Sequence, residues 1–471
     1  IGNLSPFFNL TRVSTQWAFQ LFMPLLAPIP AQWLWLNLGL RWLGGMGLFL
    51  LINALFPGKK QWAGSFCLLF CLYPGYLMSF FPVTFLAALL QPAGLFFSFY
   101  FMVLSLKKDD APRGWLTALA LVCSTANLLL SEYFLFLELL RPFLIQRTLQ
   151  LKEKKSLPTR RVFQVWKSYL LLFLAFLGWR IYTQVRITGR GMLTLEKFLT
   201  QPFAYAWQMI SQVFQDFNTM MLQPLAAALT PTFELQTRQG WLGLGSALLV
   251  ALLTFFYLLR QPAGDKKIRN PWKFMLFVGL SFFLAALPFW LAGIKPYFGF
   301  EMLNRSALPQ GLSFTLLLFA VLQYLPADWK WLRRCLISFL AGCFTLLQLN
   351  SSGLFRAEWE RRKELMQQLA WRAPQLESGT VLLMNNPEFL LSGENSLSAE
   401  LNWNYLREPH PRQAEYFIYF NEHRFLGDFI DIHANRTQTQ MHMFGPTALN
   451  PTHRLALQFD SIGCLRILDP Q

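Results

Sequence analysis

Charge is scarce in this sequence, and acidic charge is scarcer still. Only 14% of the 471 residues are charged, with 25 Asp and Glu against 41 Lys and Arg. A soluble chain carries about a quarter, so an ordinary water-soluble enzyme is excluded over most of the length. Histidine is missing until His410; the others are His423, His433, His442 and His453, at spacings that match no metal-ligand pattern. Asp428 and Asp431, near His433, give a weak hint of a carboxylate–histidine cluster. Cysteine is also sparse. Cys67, Cys71, Cys123, Cys335 and Cys343 lie in apolar surroundings, and Cys464 has no local partner, so no disulfide framework is expected. Cys67 and Cys71 share a helical face, but no His or acid accompanies them as further metal ligands. No GxSxG, HExxH, P-loop or GxGxxG run occurs, which leaves hydrolase, zinc protease, ATPase and dinucleotide-binding readings without support.

What the chain has in abundance is apolar and aromatic surface. Hydrophobic residues make up 54%, and 47 Phe and 17 Trp are among them. They are gathered into blocks at 33–56, 62–81, 83–106, 115–131, 132–146, 166–184, 241–259, 273–294, 310–326 and 331–349. Most are long enough to cross about 30 Å of hydrocarbon. The sequence therefore predicts a mainly α, polytopic transmembrane helix bundle with about ten spans over residues 1–355. Residues 356–471 are expected to form a small soluble α/β domain.

The loops between blocks assign the sides. One alternating set, Lys59–Lys60, Lys107–Arg113, Arg147–Lys167, Arg260–Lys273 and Lys330–Arg334, holds 20 basic residues. The opposite set holds about eight. Positive residues resist translocation, so the first set should be cytoplasmic and the C-terminal domain extracytoplasmic. Residues 1–355 carry 30 basic and 11 acidic side chains, and residues 356–471 carry 11 and 14. The basic excess thus belongs to the membrane part, which argues against a nucleic-acid partner. Residues 115–146 must cross twice to keep this alternation, leaving about 16 residues per crossing, which is short. One long helix there is the alternative. Within the long outer loop, residues 201–229 mix apolar side chains with Gln201, Gln208, Gln212, Gln215 and Gln223, which reads as an amphipathic helix on the outer surface. The chain begins at Ile1 on the outer side, so an earlier span is expected upstream.

In the C-terminal part, a charged helical run from Ala357 to Trp371 ends before Pro374. Strand-like runs follow at Thr380–Met384, Tyr416–Phe420, Leu455–Phe459 and Cys464–Leu468.

Ionisable residues inside apolar blocks are costly and therefore informative. Arg41 interrupts the first block. Glu132, Glu138 and Arg141 share one run, and the last two, three apart, can form a structural ion pair. Glu132 has no partner nearby in sequence and is a candidate to face a cavity. Glu301 and Arg305 lie in a short outer loop, and Arg12 near the N-terminus; an Arg so placed can grip a phosphate through its planar fork or simply be solvated. Sequons at Asn3, Asn9, Asn304, Asn350 and Asn435 are compatible with an outer location.

Several short motifs then fall in a familiar order. Arg12 precedes Asn37-Leu-Gly-Leu-Arg41; Phe70-Cys-Leu-Tyr73-Pro74 follows, then Ser131-Glu132, then Asn304-Arg-Ser-Ala-Leu-Pro309. In outline, residues 10–350 resemble the GT-C class of multi-span glycosyltransferases, the mannosyltransferase type that uses polyprenyl- or dolichyl-phosphate-linked sugars. The corresponding motifs there are Asn-x-x-x-His, Phe-x-x-His-Pro, Ser-Lys-Glu and Arg-x-x-x-Pro. This chain has Arg41 and Tyr73 at the two histidine positions. The resemblance implies a GT-C-like bundle that transfers a sugar from a polyprenyl-phosphate donor to an extracytoplasmic glycan, lipid or protein. Arg305, Arg12 and Glu301 would be the lipid-phosphate-binding candidates, and Glu132, the candidate catalytic residue within this chain, would line the cavity. The family's catalytic Asp, the base for the acceptor hydroxyl, would lie upstream of Ile1. No fixed cofactor is implied; a divalent metal ion is the one candidate. Two other readings are a non-catalytic scaffold or lipid-linked glycan binder of the same architecture, and a transporter or flippase. Against the last, the two halves show no mirrored repeats and the late spans hold almost no charge.

Overall fold

The computed structural model describes residues 13–26, 29–107, 113–153, 159–187, 200–230, 237–261, 271–300, 302–385, 389, 392–406, 415–420, 438–442, 445–449, 453–460 and 463–468. It is mainly helical, and its contacts divide the chain into two compact units, one over Asn9–Ser351 and one containing Ser352–Gln471.

The first unit is a helix bundle. Among the described residues, seven helices are long and apolar enough to cross a membrane: Ala31–Leu55, Phe85–Lys107, Thr159–Thr183, Arg238–Arg260, Pro271–Leu291, Asn304–Tyr324 and Lys330–Arg372. The chain is accordingly a multi-pass membrane protein.

Three of the ten expected blocks are built differently, which is why the count of about ten falls to seven. The block at 62–81 contains a 12-residue helix, Lys60–Cys71, followed by non-helical chain and the 3-10 turn Met78–Phe80. Such a helix is about 18 Å long. Pro74 explains the stop: it lacks an N–H, and its ring pushes the residue before it out of helical geometry. The block at 115–131 is the 18-residue helix Arg113–Leu130. The block at 132–146 starts with the turn around Ser131–Phe134, continues as the 3-10 segment Leu135–Leu140, and ends as the helix Arg141–Glu153. One continuous helix across 115–146 is not formed. The break at Ser131 is held by Gln91, whose amide donates to the Ser131 carbonyl at 2.7 Å and accepts from its hydroxyl at 2.6 Å.

Glu138 and Arg141 form a buried ion pair, with side chains 3% and 0% exposed. The Arg141 guanidinium also donates to Ser98 Oγ at 2.7 Å, while Ser124 Oγ donates to Glu138 Oε1 at 3.0 Å. The rings of Phe99 and Tyr169 cover the guanidinium at 4.7 and 4.3 Å. A buried pair is tolerated when its remaining hydrogen-bonding capacity is filled in this way. It ties four elements of the bundle together.

Residues 201–229 form the helix Pro202–Phe217, the π-turn Asn218–Leu222 and the short helix Gln223–Leu229. Phe203, Trp207, Ile210 and Phe214 recur at helical spacing along one exposed stripe. Asp216, Met220 and Met221 are buried.

In the second unit, strands β1 (Val381–Met384), β2 (Phe417–Phe420), β5 (Arg454–Phe459) and β6 (Leu465–Leu468) form a sheet in the order β2-β1-β5-β6. Here β1 pairs in parallel with both β2 and β5, and β6 closes the edge antiparallel to β5. These four strands lie within a residue of the four strand-like runs in the sequence. Strands β3 (Gln438–His442) and β4 (Gly445–Leu449) form a separate antiparallel hairpin that periodicity missed. The helix Glu394–Tyr405 connects β1 to β2 and packs Leu397 and Leu401 into a core with Leu382, Ile418, Phe420 and Phe459.

Candidate functional site

The break at Pro74 gathers the most polar part of the bundle interior. Residues Tyr73 to Leu77 are all buried, yet their backbone is not helical. In a membrane such backbone is tolerated only when the protein satisfies it. Three distant side chains do so here. Asn304, fully buried, accepts from Leu77 N at 2.9 Å and donates to Gly75 O at 2.9 Å and Tyr297 O at 3.2 Å. Gln348 donates to the carbonyls of Tyr73 at 3.1 Å and Tyr76 at 3.2 Å. Arg41 reaches the Tyr73 carbonyl at 3.2 Å.

The Tyr73 ring packs on Phe314, 4.9 Å between centroids, and its hydroxyl donates to Met220 O at 2.8 Å. That carbonyl is in the π-turn, where widened backbone spacing frees acceptors, a local feature frequent at functional sites. Gly311 makes room for Tyr73: a Cβ there would lie 3.1 Å from the ring. Arg41, Tyr73 and Tyr76, with Leu89, Pro92 and Leu308, line a cavity of about 20 Å³. The Tyr76 hydroxyl is buried in this region without a hydrogen-bond partner.

Beside this centre stands Tyr133, stacked on Phe289 at 5.5 Å. The Arg305 guanidinium lies 5.9 Å from the Tyr133 ring, within cation–π range. Glu132, the next residue to Tyr133, does have a partner: Arg180, from the helix Thr159–Ile187, pairs with it at 2.5 Å. No sequence spacing could have joined residues 48 apart. Arg12 and Glu301, the other two candidates, lie outside the described residues, as do Asp428, Asp431 and His433.

One carboxylate escaped the sequence reading. Asp216, at the end of the amphipathic helix, is 1% exposed and accepts hydrogen bonds from the Trp290 indole and the Gln212 amide. Burial pushes its carboxyl above the usual carboxylate range, against the opposing pull of those two donors and Lys295. Its signal in the sequence was a lone acid set among glutamines in a helix whose other face is apolar.

One expectation needs correction. Asn304 is fully buried and saturated by backbone partners, so its sequon cannot accept a glycan in the folded protein. Among the described residues, no three His, Cys, Asp or Glu side chains cluster. The Cys67–Cys71 pair packs against Gly45, where a Cβ would fall 2.2 Å from Cys71 Sγ.

The site therefore offers three arginines, Arg41, Arg180 and Arg305, three buried tyrosines and a stretch of non-helical backbone held by side chains. Chemically it can attract negative charge and orient a ligand by hydrogen bonds. Comparison with family models, curated proteins and solved structures finds no match to this chain.

Proposed function

We propose that this protein is a GT-C-like membrane glycosyltransferase that moves a sugar from a polyprenyl-phosphate donor to an extracytoplasmic acceptor. What supports the reading is convergence. The segments that carry the resemblance are far apart in sequence, yet Arg41, Tyr73, Glu132 and Arg305 gather around the break at Pro74 and its neighbour Tyr133. In this reading Arg305 grips the donor phosphate and stabilises it as it leaves the sugar. The acceptor hydroxyl attacks the anomeric carbon, the bond from that carbon to the phosphate oxygen breaks, and a base takes the hydroxyl proton. Glu132, paired with Arg180, is the candidate for that base among the described residues of the site.

A second reading is a binder of the same architecture without transfer activity. One observation favours it: the carboxylates described in the bundle interior, Glu132, Glu138 and Asp216, are each already engaged. Proteoliposomes holding the protein, a polyprenyl-phosphate-linked mannose and a mixture of glycan and lipid acceptors separate the two. Transfer is expected to release polyprenyl phosphate. Arg305→Ala should weaken donor binding by about ten- to a hundredfold, with Arg305→Lys in between, because lysine keeps the charge and loses the fork. Binding without release selects the second reading; absence of both sinks the first.

A further inference from the structure

We propose that Arg41 and the Tyr76 hydroxyl form a binding site for a small anion inside the bundle, sized for a halide ion or a single phosphoryl oxygen. The site goes beyond sugar transfer and does not depend on it. Arg41 lies in the middle of a membrane-crossing helix, where an isolated charge is costly. A guanidinium carries five N–H donors, and the described acceptor for it is one carbonyl, that of Tyr73. Among the described residues, the ionisable groups that act on it are Cys71 and Tyr76, with no carboxylate among them.

The described carboxylates of the bundle interior are committed elsewhere, Glu132 to Arg180, Glu138 to Arg141 and Asp216 to Trp290. Tyr76 supplies the independent observation: it is 1% exposed, its hydroxyl has no partner among the described residues, and it lines the same cavity as Arg41. A buried donor is seldom left unsatisfied. The cavity of about 20 Å³ exceeds the room needed for one water-sized particle and is too small for a whole phosphate. The remaining walls are largely apolar, which strengthens attraction to whatever negative charge enters. A cation is excluded by the positive charge of Arg41.

The anionic atom can come from free salt or from a lipid phosphate that inserts one oxygen. Purified full-length protein in neutral detergent, prepared in sodium gluconate, is titrated with sodium chloride at constant ionic strength while its thermal midpoint is followed. A saturable rise is expected. Arg41→Gln should raise the apparent Kd by about ten- to a hundredfold, the loss of a charge-assisted contact. Tyr76→Phe, which removes one hydroxyl from an otherwise unchanged ring, should raise it by about fivefold. Competition by polyprenyl phosphate against chloride would assign the site to the lipid oxygen, and its absence would assign it to the free ion. No saturable response to either anion overturns the proposal. So does a chloride Kd left unchanged by Tyr76→Phe, a test that stands even if the Arg41 variant does not fold.

Discussion

Glu138→Gln is the sharpest perturbation of the bundle. The Glu138 carboxylate accepts two hydrogen bonds from Arg141 and one from Ser124 Oγ, in a place where both charged side chains are at most 3% exposed. The amide keeps one acceptor oxygen but turns an NH₂ group toward a guanidinium that is already full of donors. Arg141 then keeps Ser98 Oγ and the faces of Phe99 and Tyr169. Those rings return up to about 2 kcal/mol when desolvated, which does not replace a carboxylate. Leaving one member of a buried pair uncompensated costs about 3–5 kcal/mol. The double variant Glu138→Leu with Arg141→Met removes both charges and keeps similar volume, and it should return to within about 1 kcal/mol of the parent. Unfolding by SDS in mixed micelles, followed by tryptophan fluorescence, measures all four corners of the cycle. A cost below about 1 kcal/mol for Glu138→Gln would refute the reasoning. A double variant no more stable than the single one would do the same, because it would show that packing rather than charge compensation governs the site.

Asp216 gives a pH signature. Its carboxyl holds its proton to higher pH in the folded protein than in the unfolded chain, where the value is about 3.9. Its contribution to stability is therefore full below about pH 4 and is lost as pH rises through the raised folded value. Asp216→Asn should flatten that slope while keeping an acceptor for Trp290; parallel slopes in thermal midpoint from pH 4 to 7 would contradict the account. Asn304→Ala strands Leu77 N and two carbonyls at a fully buried position, so a loss of about 2–4 kcal/mol is expected. Limited proteolysis should then cut near Gly75, where the parent is protected.

Much of the bundle was legible because hydropathy reports length and apolarity directly. It failed where the chain stays apolar without staying helical. Tyr73, Pro74, Tyr76 and Leu77 read as membrane residues by composition, and only the Pro-Gly pair at 74–75 marked the break. The Glu138–Arg141 pair was visible because helical spacing is local. The Glu132–Arg180 pair was not, because it depends on how separate segments pack. Asp216 stayed hidden for a different reason: one acid among five glutamines looks solvated until Trp290 is brought against it. The strands β1, β2, β5 and β6 were legible as short apolar runs, whereas β3 and β4, with Gln438, Gln440 and Gly445, lack that alternation.

The break at Pro74 also has a consequence for biosynthesis. Its backbone is satisfied by Asn304 and Gln348, made 227 to 275 residues later. When the segment leaves the ribosome, the groups that will complete it do not yet exist. Until they arrive, water, lipid headgroups or a helper protein must satisfy its carbonyls. The polar centre is thus finished only after the helices Asn304–Tyr324 and Lys330–Arg372 have been inserted, and a chain truncated before residue 304 would carry Arg41 and Tyr76 with no settled loop between them.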